Sequence, residues 1–210
     1  METNNHHTLL HLHPETASLF ALYYELERQT AAFRAAAGIS CPDGCGSCCD
    51  TPSTNIEASV FELVPFALDR WMSGEAEHTL ELAGLSMDSD ACLLYMRSGP
   101  PGQGRCGAYA LRPLVCRLFG FSAIKDKESK LRYSLCKTMK QPNPAMAHVV
   151  STAVDQGMSA PVFSEYSMRL YSISPSSLSK RYPVNTAIRL ALEHVLFRAS
   201  LGAYDSLKQP

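Results

Sequence analysis

Apolar residues recur every three or four positions over residues 15–37. Leu19, Leu22, Tyr23, Leu26 and Phe33 share one face, which predicts an amphipathic helix. Pro14 suits its first turn and Gly38 its C-terminal stop. A second helix is predicted over 55–73, with Ile56, Val60, Leu63, Ala67 and Trp71 on one face. Thr54 and Glu57 have capping-box spacing for its start, Pro65 should kink it, and Gly74 should end it. A short helix follows near 76–84. Residues 86–110 are rich in Gly, Pro and Ser, with Gly99-Pro100-Pro101-Gly102 at their centre, and read as loop or short strand. One or two helical turns begin at Pro113 and cover 112–119, and 130–136 reads as a strand. Helices are expected near 142–156, 163–172 and 185–200. The last carries Ile188, Leu192, Val195 and Leu196 on one face. There is no internal repeat and no low-complexity tract. The expected fold is mainly α, with helices wrapping a cysteine-rich loop core and at most short β-strands. One domain over 1–210 is expected, with its core at 41–136 and flanking helices in 1–40 and 140–210.

Composition adds limits. A chain of 210 residues with 46% hydrophobic and 19% charged residues can bury a full core without disulfides. No apolar run is long enough to span a bilayer. The first residues, METNNHHTLLHLHPE, lack Lys, Arg and a long apolar centre, so they do not read as a secretory signal. A cytoplasmic location is therefore expected, where thiols stay reduced. Charge is strongly uneven. Residues 1–96 hold fourteen acidic and three basic residues, whereas 97–140 hold ten basic residues and only Asp126 and Glu128 as acids. Complementary faces within one fold, together with basic groups that stabilise thiolates, explain this better than a nucleic-acid surface.

The chemistry lies in the cysteines. Cys41, Cys45, Cys48 and Cys49 fall within nine residues, and Cys92, Cys106, Cys116 and Cys136 follow. Pro42, Gly44 and Gly46 permit the tight turns that bring several sulfurs to one centre. Side chains of the adjacent Cys48 and Cys49 are expected to diverge, which favours two neighbouring centres. Four ligands per metal or cluster is the norm, so eight thiols permit two sites. All-sulfur ligation suits Zn²⁺, iron–sulfur clusters or Cu(I), and the lack of histidine in the cluster favours iron–sulfur. The Cys-x3-Cys-x2-Cys spacing also occurs in radical-SAM enzymes, but the residues after it pattern as helices instead of the alternating strands and helices of a barrel. Cys45-Gly46-Ser47-Cys48 has the form of a thioredoxin motif without its βαβ context.

The segments CPDGCGSCCD and RCGAYALRPLVCRLFGF, with Cys92 between them and Cys136 after them, resemble the YkgJ-type cysteine-cluster proteins. That family carries a zinc- or iron-chelating domain with a C-x-x-C-x-x-C-C signature. The first gap here is one residue longer. The resemblance, over about 41–136, implies that all eight cysteines are metal ligands. It also implies a role in chelation, sensing or redox chemistry with an iron–sulfur cluster or Zn²⁺. Some larger proteins that resemble the family methylate lysines of flagellin, so a cluster-dependent enzyme is one alternative and a structural zinc protein another. Arg112 and Arg117 flank Cys116 and are expected to neutralise the thiolates, with a carboxylate partner such as Glu57 or Glu62. Metal ions are the expected partners. A membrane is not expected, nucleic acid is disfavoured, and no protein partner is indicated. His6, His7, His11 and His13 form a His-rich tract that reads as a terminal segment, and His78, His148 and His194 are isolated.

Overall fold

The computed structural model describes residues 14–175 and 180–204. The His-rich tract lies outside the described residues. The predicted first helix is present as α1 (Pro14–Ala37). After the cysteine loop come a 3-10 turn (Ser53–Asn55), β1 (Glu57–Ala58), α2 (Val60–Met72) and α3 (Ala76–Leu85). The pair β2 (Tyr95–Arg97) and β3 (Gly104–Cys106) precedes a 3-10 turn (Tyr109–Leu111) and α4 (Leu114–Leu118). Next are β4 (Ala123–Lys125), β5 (Leu131–Tyr133), α5 (Lys137–Lys140) and α6 (Pro144–Asp155). The described chain closes with α7 (Phe163–Ile173), β6 (Tyr182–Pro183) and α8 (Val184–Ser200). The fold is mainly α, and the strands form two-stranded antiparallel pairs: β1 with β6, β2 with β3, and β4 with β5.

The second helix starts later than expected. Its capping box is Ser59 and Glu62, not Thr54 and Glu57. Thr54 lies in the 3-10 turn, and Glu57 pairs with Pro183 in the β1–β6 ladder, so neither can open a helix. The helix runs on through Pro65.

Three apolar clusters hold these elements. The largest packs α2 against α3 and α8 through residues such as Leu63, Ala67, Ile188 and Leu192, all fully buried. A second joins α1, α4 and α7 through Leu19, Leu22, Leu26, Leu114, Leu118 and Leu170. The third lies beneath β4, β5 and α6, with Phe33, Tyr133, Leu135, Val150 and Val154. Each fully buried Leu or Ile contributes on the order of 2 kcal/mol. Two ion pairs join the basic stretch to the acidic one: Arg97 with Asp50 at 2.8 Å, and Arg117 with Glu27. No helix among the described residues is long and apolar enough to cross a membrane.

Candidate metal centre

The cysteine loop lies flat on the β2–β3 hairpin. Gly46 N donates to Gly102 O at 2.8 Å, and Gly104 N donates to Gly44 O at 2.9 Å. A Cβ on Gly46 would meet the Tyr95 ring at 2.4 Å, so only glycine allows this approach. Asp50 locks the contact by accepting from Arg97 at 2.8 Å and from Gly102 N at 2.6 Å.

Other segments bring the remaining thiols in. Cys92 N donates to Cys49 O at 3.2 Å, which sets these two backbones side by side. The loop around Cys92 is clamped by the buried Asn185 of α8. Its Oδ1 accepts from Leu93 N at 2.8 Å and its Nδ2 donates to Ala91 O at 3.0 Å. Cys106 stands opposite Tyr95 in the hairpin. Cys116 rides on α4, whose first N–H, from Leu114, donates to Glu62 Oε1 at 2.8 Å. Cys136 caps α5, its sulfur accepting from Met139 N at 3.5 Å. Gly120, with φ 77°, passes close to Cys136: a Cβ there would lie 3.4 Å from that of Cys136.

The eight cysteines are free. Cys48, Cys49, Cys92, Cys106 and Cys116 interact with one another, and Arg112 acts on Cys48, Cys106 and Cys116. Cys41 feels Cys45, Cys48 and Cys136, so it links the first loop to the last cysteine. Cys48 and Cys49 do not diverge as expected: their sulfurs lie 4.0 Å apart. Cys49 N and Asp50 N both donate to Gly46 O, so the chain curls as in a helical turn and consecutive side chains stay neighbours. Among the described residues, no three Cys, His, Asp or Glu side chains are arranged as a ready-made metal cage.

The electrostatics separate the thiols. A hydrogen bond from Cys49 holds Cys48 down to about 6 against the opposing effect of burial, with help from the positive charge of Arg112. Cys106, which competes for the same single Cys49 proton, is lowered as well. Cys49 is pushed far up, because its proton serves both neighbours and it is itself buried. Burial pushes Cys92 up to about 11 and raises Cys116 strongly. Burial also pushes Cys41 up to about 12. Cys45 is lowered although burial opposes it, through hydrogen bonds from Ser47, Cys41 and Thr138.

These shifts have a pH signature. Cys48 and Cys106 ionise more easily in the fold than in an unfolded chain. The stability they add is complete above the ordinary thiol value and fades as the pH falls toward 7 and then 6. Cys92 has the opposite sign, and its cost appears as the pH rises above the ordinary value. Alkylation of the metal-free, reduced protein with iodoacetamide, followed by peptide mass spectrometry, should label Cys48 and Cys106 at clearly lower pH than Cys92. Cys92 should stay slow until strongly alkaline pH. Uniform labelling of all three near the ordinary thiol value would contradict the arrangement.

The two arginines are placed differently. Arg112 stacks on the Tyr109 ring at 3.4 Å and donates from Nε to Tyr109 O at 2.9 Å, within reach of the thiols electrostatically. Arg117 is buried with its guanidinium over the Tyr23 ring at 4.2 Å. It donates to Arg112 O at 2.8 Å, to Ala110 O and to Glu27. Its carboxylate partner is Glu27, not the expected Glu57 or Glu62, and it braces the loop that carries Arg112. His78, His148 and His194 are exposed. Asp50 and Asn185 escaped the sequence reading, and Glu62 entered it only as a partner for the arginines, not as the cap that holds α4. Only Glu62 carried a local signal, the Ser-x-x-Glu spacing of its capping box.

All eight cysteines lie between residues 41 and 136. Residues 40–137 match the CxxCxxCC family. Its description is “Putative zinc- or iron-chelating domain”. The CxxCxxCC match begins one residue before the first cysteine and ends one after the last, so it takes in all eight thiols along with Arg112 and Arg117. Comparisons with curated proteins and with solved structures gave no match.

Proposed function

We propose that this chain binds iron or zinc through its cysteine thiolates at two neighbouring centres, in metal chelation, sensing or redox chemistry in the cytoplasm. The observation that carries the reading is the set of eight free thiols from five separate places in the chain, with the Cys48 and Cys49 sulfurs 4.0 Å apart. Soft sulfur donors suit both metals. Cys48, Cys49, Cys92, Cys106 and Cys116 would supply the first centre, with Arg112 offsetting its negative charge. Cys41, Cys45 and Cys136 would supply the second. The Cys48 and Cys49 sulfurs, 4.0 Å apart, are close enough to share a proton, and metal binding would replace the thiol protons, which is why loading should release acid. An iron–sulfur cluster is favoured over zinc because the described histidines are exposed and the donors are all sulfur. Such a cluster would supply electron transfer or an open iron, whereas zinc would supply only a bound cation.

Elemental analysis of anaerobically purified protein tests this. Iron with sulfide, or zinc, should remain after gel filtration. Cys106→Ser and Cys136→Ser should each remove part of the metal, and different parts. A sulfur-to-iron absorption band in the visible decides between the metals. Eight titratable thiols and less than about 0.2 metal per chain would sink the reading, since thiolate sites bind tightly.

A further inference from the structure

A cavity of about 690 Å³ opens where the Ser53–Asn55 turn, β1, α4, α7 and the residues before β6 meet. Its size is that of a small-molecule site. Val115 of α4 and the α7 side chains Met168 and Tyr171 give it apolar walls. Met168 and Tyr171 leave 63% and 47% of their surface exposed, so a good deal of apolar area faces the opening.

Two polar features of the wall point to a ligand. Six of the chain's twelve arginines, Arg70, Arg97, Arg117, Arg132, Arg169 and Arg189, pair with a carboxylate, whereas others such as Arg34, Arg105 and Arg112 do not among the described residues. Arg181 lines this cavity and has no carboxylate partner among the described residues. It donates to the backbone carbonyl of Glu57, which anchors the guanidinium and leaves its other donors open. In the same wall Ser167 Oγ is buried without a hydrogen-bond partner, a state that few polar groups in folded proteins adopt. Glu57 also lines the cavity, and its carboxylate sets a limit. A doubly charged phosphate ester would be repelled, whereas a single negative charge can sit on the guanidinium.

We propose that this cavity binds an apolar monocarboxylate, its carboxylate on Arg181 and its hydrocarbon along Val115, Met168 and Tyr171. The proposal does not rest on the metal reading, although Val115 directly precedes Cys116 on α4.

Calorimetric titration of the whole protein with decanoate and with decanol tests it. Decanoate should bind saturably at one per chain. Decanol should bind at least about tenfold more weakly, because it lacks the charge-assisted hydrogen bonds. Arg181→Gln should bring decanoate down to the level of decanol. Met168→Glu, which puts a charge on the hydrocarbon wall at an exposed position, should weaken both decanoate and decanol. Decanoate that fails to saturate, binds no better than decanol, or binds Arg181→Gln as tightly as wild type would overturn the proposal.

Discussion

Removal of the metal should release residues 86–112 from the fold while α2 and α8 stay packed. Between Ala91 and Arg112 the side chain of Cys92 is the only one that is buried. The strands there are three residues long, and the stretch has no apolar cluster of its own. Leu93, Leu94, Tyr95 and Leu111 pack only partly against the main cluster, so the full burial worth on the order of 2 kcal/mol per Leu elsewhere is not reached here. Thiolate–metal bonds can replace it, since structural zinc contributes about 10–16 kcal/mol in small metal-dependent folds. That equals or exceeds the whole stability of a typical domain. Hydrogen exchange before and after complete metal removal should show protection lost around Cys92 and Cys106, with the α2–α8 pair little changed. Equal protection in both states would mean that the loops hold themselves.

Glu62→Ala should be the most damaging single change away from the cysteines. The carboxyl group is fully buried. Oε2 accepts from Ser59 N at 2.9 Å and from Ser59 Oγ at 2.8 Å, and Oε1 accepts from Leu114 N at 2.8 Å. Truncation leaves buried donors unpaired on two elements and a void between them. Each orphaned group costs about 1–3 kcal/mol, so the total is about 3–5 kcal/mol. For a protein of this size the melting temperature should fall by roughly 10 °C. Metal retention should fall with it, because α4 and Cys116 lose their anchor. Glu62→Gln keeps one acceptor and should fall between the two. A Glu62→Ala protein that melts within a degree or so of wild type would show that α4 is held by its apolar contacts alone.

Long amphipathic patterns made α1 and α8 readable, because their apolar faces repeat over several turns and pack on one side. The start of α2 was not readable. Thr54/Glu57 and Ser59/Glu62 have the same spacing, five residues apart, and both suit a capping box. The choice falls to the pairing of Glu57 with Pro183, far along the chain, which no local pattern shows. The thiols were legible as a group, since nothing else in the chain clusters so tightly. Which thiols neighbour which was not: Cys136 is nearest in sequence to Cys116, yet it acts on Cys41, as Cys45 and Cys48 do. Arg112 and Arg117 are equivalent on paper, but the turn at Pro113 and α4 sends one to Tyr109 and the other to Tyr23.

Asn185 gives the site an order of events in time. The Cys92 loop is gripped on both sides by a residue that the ribosome adds 93 positions after that cysteine. During synthesis, at about 5–20 residues per second, all eight thiols emerge several seconds before their clamp. A nascent chain thus carries exposed sulfur ligands without the frame that spaces them. Secure metal capture belongs to the finished chain, and until α8 docks the thiols are open to scavenging or oxidation by whatever reaches them first.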